Sequence, residues 1–178
     1  MRIAKKLLPL LGVVLWFGTA QLRAQEDETP AQKQYRDDYE QFQKIQAVKE
    51  PLKRADEWLK FLQERPKSQL LPNVQADLLI ILNDLGNQSR WDTMVPLAER
   101  FIKLRPRVGE TYYYYGQALN GQKKYDDAMS ALAKCYILKN PGSDKAKRFL
   151  DAIYKSQHQG KTDGLDALIR KIRSEIGI

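Results

Sequence analysis

From Tyr35 onward, apolar residues recur every three or four positions, the spacing of helices that each bury one stripe. Tyr39, Phe42, Ile45 and Val48 form the first run. Pro51 opens a second, since a first helical turn has no use for the N–H that proline lacks; it continues through Ala55, Trp58, Leu59 and Leu62 to Pro66. A connection over Ser68–Asn73 leads into a helix over Val74–Leu85, with Gly86 and Asn87 placed to stop it. Ser89 or Asp92 can cap the next helix, about Trp91–Arg105, and Pro96 falls near its first turns, where a missing donor is least costly. Two further runs cover about Glu110–Asn120 and Asp126–Lys139, joined by a short polar turn. After Pro141, Ser143 or Asp144 can cap a helix through Ala146, Phe149, Leu150, Ile153 and Tyr154. Gly160 ends that interval, and Asp163 can cap a last helix through Leu165, Leu168, Ile169 and Ile172. β-Branched runs are rare, so the pattern predicts an all-α domain over residues 35–178, with about eight helices in four antiparallel pairs.

Ahead of this domain the pattern changes. Arg2, Lys5 and Lys6 precede an apolar run over Leu7–Gly18, shorter than the roughly 20 residues a spanning helix needs. Residues 1–24 therefore read as a secretory signal peptide, cleaved after Ala24 or Ala20. The alternative is a leader retained as an anchor. No cysteine follows the apolar run, so lipoprotein processing is not indicated. The expectation is an exported, periplasmic protein with no integral membrane span once the leader is cut. Residues 25–34 are polar and acidic, and read as a flexible lead-in that cannot offset its ordering entropy.

The chain has 178 residues and a formal charge of +8. Loss of Arg2, Lys5, Lys6 and Arg23 with the leader, and of no acid, lowers this to +4. That charge is too mild to argue for a nucleic acid partner. With one cysteine and one histidine, an internal disulfide is excluded and a Cys/His metal cluster is not expected. His158 lies at a polar helix end; as a catalytic base it would need a nucleophile and an orienting partner, and neither spacing is present. Cys135 reads as a small buried hydrophobe, with a reactive or intermolecular thiol as the sharper alternative. The clusters Lys145–Lys147–Arg148 and Arg170–Lys171–Arg173 read as solvated helix faces before anion sites. No cofactor, metal site or catalytic residue is expected.

The most informative stretch is Gly109 to Pro141, GETYYYYGQALNGQKKYDDAMSALAKCYILKNP. Tyr112, Gly116, Tyr125, Ala128 and Leu132 follow one another as bulky aromatic, small, aromatic, small and large apolar residues, with Pro141 closing one residue late. This stretch resembles a tetratricopeptide (TPR) repeat. One period earlier, Gln75–Pro106 resembles a degenerate copy: Leu78 matches Tyr112, Leu85 Leu119, Trp91 Tyr125, Met94 Ala128 and Ala98 Leu132. Leu82 and Met94 stand where the family has small residues, which should widen that helix pair. Residues 35–66 resemble a divergent hairpin or a cap, and 143–176 a terminal pair. One repeat cannot bury its apolar face alone, so the resemblance implies a TPR-like α-solenoid of antiparallel helix pairs.

Four consecutive tyrosines cannot face one way when the helical period is about 3.6 residues. Tyr112 and Tyr115 share the packing face, so Tyr113 and Tyr114 point elsewhere. By the resemblance, Tyr113, Tyr114, Gln117 and Asn120 line a concave groove, with Leu79, Ile80 and Asn83 at matching places one repeat earlier. An exposed strip of these residues suits a protein segment, with aromatic area for affinity and amides to meet a backbone. The alternative is that Tyr113 and Tyr114 pack on the neighbouring hairpin. Of the Lys, Asn and Arg set with which some TPR domains hold a terminal carboxylate, only Asn83 and Arg148 fall at such places; Leu79 and Tyr114 occupy others. The resemblance thus implies a non-catalytic scaffold of the cell envelope that binds an unidentified protein segment. A self-assembling structural element is the alternative, and an enzyme a third.

Overall fold

A computed structural model describes residues 28–177. The stretch read as a leader and residues 25–27 of the lead-in lie outside the described residues. Within them are eight α-helices and no strands: α1 (Pro30–Gln46), α2 (Pro51–Glu64), α3 (Leu71–Asn87), α4 (Trp91–Leu104), α5 (Gly109–Gly121), α6 (Tyr125–Ile137), α7 (Ser143–Gln157) and α8 (Leu165–Glu175). The all-α expectation and the number of helices both hold. The chain divides into two units, one ending at Asp37 and one from Asp38 onward.

In the first unit, α1 begins at Pro30, so the second half of the stretch expected to be a flexible lead-in is helical. The cause is local. Thr29 Oγ1 accepts from the Gln32 N–H at 3.3 Å, and Gln32 Oε1 accepts from the Thr29 N–H at 2.8 Å. This reciprocal capping box closes over a proline at the first helical position. Its signature, Thr29-Pro30-Ala31-Gln32, stands in the sequence.

In the second unit, α2 packs on α3 and α4, and α3 on α4 and α5. α5 packs on α4, α6 and α7, and α6 on α7 and α8. Two apolar clusters fill the space between them. The first gathers Phe42, Trp58, Phe61, Leu78, Leu82 and Phe101. The second gathers Leu119, Leu132, Leu150, Ile153 and Ile169. Val95, Tyr114 and Tyr115 lie against both. Each fully buried large side chain contributes about 1.5–3 kcal/mol relative to an exposed one. α5 crosses α6 closely: a Cβ on Gly116 would sit 2.8 Å from Leu132 Cγ and 3.2 Å from the Ala128 carbonyl. That explains the small residue at this place.

The helix ends differ from expectation. α4 is preceded by Arg90, α7 by Gly142 and α8 by Gly164, and none of these starts has a side-chain cap bond. Ser89, Asp92, Ser143, Asp144 and Asp163 are therefore not N-caps. Gly86 does not stop α3 either; it is buried inside a helix that runs on to Asn87. The stop comes from Ser89, at φ 53°, and the bond from Arg90 N–H to the Leu85 carbonyl at 2.9 Å. The same closure recurs with Lys123 at φ 63° and Lys124 N–H to the Leu119 carbonyl at 2.9 Å. It recurs again with Gln159 at φ 53° and Gly160 N–H to the Lys155 carbonyl at 2.8 Å. These are six-residue Schellman closures with a non-glycine residue in the left-handed position.

Candidate functional site

The seven residues expected to line a groove sit on α3 and α5, which pack against each other. Ile80 is 55% exposed, a large apolar side chain left facing solvent. Leu79, Asn83, Tyr114, Gln117 and Asn120 are half-buried. Gln117 lies across Gly86, its Oε1 3.2 Å from where a Cβ would stand, so it serves the α3–α5 contact as well as any surface role.

Tyr113 departs from the expected strip. It is only 9% exposed, against Phe149 of α7 at 6.4 Å between ring centroids. The Lys145 ammonium stands 4.6 Å from its ring centroid. Tyr113 thus packs on the neighbouring helix, because α7 crosses the face that the helical wheel of α5 alone leaves open. Tyr112 is buried, and Tyr115 is half-buried with its hydroxyl donating to Glu99 at 2.8 Å. Tyr114 meets Tyr113 edge to face at 5.4 Å and retains partial access to solvent. Burial raises its pKa first of all; the positive charge of Lys145 opposes this, while Tyr113, Glu110 and Asp84 reinforce it. The accessible surface therefore narrows to Ile80, with Asn83, Tyr114 and Asn120 contributing in part.

Cys135 is fully buried. Burial pushes its thiol up to about 11, partly offset by its hydrogen bond with Asn140. A thiol so held is a poor nucleophile at neutral pH. Asn140 also organises the turn after α6. Its Nδ2 donates to the Cys135 carbonyl at 2.7 Å, and its Oδ1 accepts from the Gly142 N–H at 2.9 Å. His158 is exposed, stacked on the Tyr154 ring at 3.9 Å, with Nδ1 2.8 Å from the Tyr154 carbonyl. Among the described residues no group of three or more His, Cys, Asp or Glu side chains could hold a metal ion, and no helix is long and apolar enough to cross a membrane.

Sequence reasoning missed two polar features of the second unit. An open recess of about 560 Å³ is lined by Gln43, Gln46 and Ala47 of α1, Arg54 of α2 and Asp77 of α3. Asp77 Oδ2 accepts from Arg54 Nε at 2.8 Å and from Trp58 Nε1 at 2.6 Å. Asp38, 1% exposed, accepts from Arg65 Nη1 at 2.7 Å. These partners lie 19 to 27 residues apart, so no local spacing announces them.

No family model matches this chain, and neither a curated protein nor a solved structure does.

Proposed function

We propose that this chain is a non-catalytic scaffold, a TPR-like α-solenoid that presents a protein-binding surface along α3 and α5. The observation that carries the reading is the exposed Ile80, flanked by half-buried Leu79, Asn83 and Tyr114 on adjacent helices. An aliphatic anchor beside a phenol and amides fits a segment offering apolar side chains and backbone groups. The run of helices packing on the next and next-but-one neighbour supports a stacked array. The basic and apolar pattern of residues 1–24 supports export to the periplasm. The reading includes no cofactor, no metal and no nucleic acid.

The test is a crosslinking pull-down from an envelope fraction with the native chain and an Ile80→Glu, Tyr114→Ala form. A heterologous protein captured by the native chain and lost from the folded double variant supports the surface. Equal recovery from both forms retires it, and recovery of this chain alone favours self-assembly.

A further inference from the structure

The α2–α3 and α4–α5 turns repeat one another closely. α2 and α4 are both 14 residues long, and their first residues, Pro51 and Trp91, stand forty apart, as do their last, Glu64 and Leu104. Each is followed by an arginine in a similar extended conformation, Arg65 (φ −123°, ψ 55°) and Arg105 (φ −139°, ψ 68°). Each arginine N–H bonds the carbonyl of a fully buried phenylalanine, Phe61 at 2.8 Å and Phe101 at 2.9 Å. Each arginine carbonyl accepts a bond of 3.1 Å from the residue three further on, Ser68 or Val108. Then comes a proline and a second cation: Pro66-Lys67 and Pro106-Arg107.

The surroundings of the two guanidinium groups differ. Arg65 holds the buried Asp38 carboxylate. Forty residues after Asp38 stands Leu78, fully buried, with no charge to offer. Among the described residues Arg105 pairs with no carboxylate. Its guanidinium donates from Nη2 to the Pro66 carbonyl at 3.3 Å, which also shows the two turns to be neighbours. Its Nε is buried without an acceptor among the described residues. The residue as a whole is only half-buried, so the outer guanidinium nitrogens are the ones a carboxylate can reach. Exposed Lys67, Lys103 and Arg107 flank it, and no acidic residue lies between Glu99 and Glu110.

We propose that Arg105 is the receptor for a carboxylate supplied in trans, an aspartate- or glutamate-bearing segment of a protein partner, seated as Asp38 is seated on Arg65. The partner chemistry is argued from that internal precedent and from the flanking cations. The surface is distinct from the Ile80–Tyr114 strip, so the inference stands or falls apart from that reading.

The experiment follows the Nε–H resonances of Arg105 and Arg65 in ¹⁵N-labelled chain during titration with a blocked peptide of alternating Asp and Ser. The control peptide replaces Asp with Asn, and a third arm uses inorganic phosphate. The expected result is a saturable shift of Arg105 with the Asp peptide, little change at Arg65, and weakening at high salt. Arg105→Gln is expected to lower affinity about tenfold or more, with the helical circular dichroism retained. No saturation up to millimolar Asp peptide would overturn the proposal. So would equal response to the Asn peptide, or tighter binding of phosphate than of the Asp peptide.

Discussion

Cys135 shows how one buried atom couples to pH. Its folded pKa, about 11, lies above the ordinary thiol value of 9.0, with burial as the main cause. The folded state therefore holds this proton more tightly than the unfolded state. The resulting stability is fully present below pH 9 and is lost as pH rises through about 11, a change of about 3 kcal/mol. Burial also raises Tyr112 and Tyr114, and burial with the Glu99 bond raises Tyr115 to about 12, so the tyrosines extend the same trend to higher pH. Denaturant titration from pH 8 to 11 is expected to show falling stability, with a shallower fall in Cys135→Ala. A thiol reagent at pH 7.5 is expected to modify Cys135 only at the rate of unfolding. Rapid modification in the native state would mean the thiol is reached without global opening. For Asp38, removal of the carboxylate strands Arg65. Asp38→Ala is expected to cost about 1.5–3 kcal/mol in a chemical melt, and Arg65→Ala should cost at least as much because it leaves the anion buried.

At the scale of the helix, two devices set the geometry. One is the close crossing at Gly116. A methyl there would gain about 1 kcal/mol of helix propensity but collide with Leu132 and the Ala128 carbonyl. Gly116→Leu is expected to lose about 1–3 kcal/mol through overpacking, read as a lowered melting midpoint. The other device is the left-handed residue in each six-residue closure: Ser89, Lys123 and Gln159. A side chain in that region costs about 1–2 kcal/mol relative to the usual conformation. Lys123→Gly is therefore expected to stabilise the chain by about 1 kcal/mol, since Lys123 lies exposed in its turn. These closures were not legible as placed, because glycine signals a helix stop in sequence. Here Gly86 and Gly121 fall inside helices, and the neighbouring polar residues take the strained position. The Gly116 crossing was legible, since a small residue followed by Ala128 and Leu132 at repeat spacing marks two helices in close approach.

For the whole second unit, the decisive fact is that α5 belongs to both apolar clusters. Tyr112, Tyr113 and Leu119 lie in one, Ala118 in the other, and Tyr114 and Tyr115 against both. Helices α1 to α4 and α6 to α8 are thereby energetically linked through one element. A chain ending at Asn140 would uncover Tyr113 and the face of α6 that packs on α7. It is expected to unfold at lower denaturant than the full chain and to associate in sedimentation. A truncated form as stable and monomeric as the full chain would show that α7 and α8 are a dispensable addition.

The sequence by itself determined the helices and their order along the chain, because a 3.6-residue repeat with prolines between runs marks each run as a helix that buries one stripe; that α8 packs on α6 was left to the tertiary structure. It also marked Cys135 as interior, since a small apolar-like residue stands there between Leu132 and Ile137. Which polar groups meet was left to tertiary structure. Asp38 with Arg65, and Asp77 with both Arg54 and Trp58, join residues 19 to 27 positions apart that share no local signal. The same holds for the tyrosine run. Helical period separated Tyr112 and Tyr115 from Tyr113 and Tyr114, but the position of α7 decided that Tyr113 would be covered and Tyr114 left partly open. Period is a property of one helix; burial depends on what crosses it, and only the packed chain supplies that.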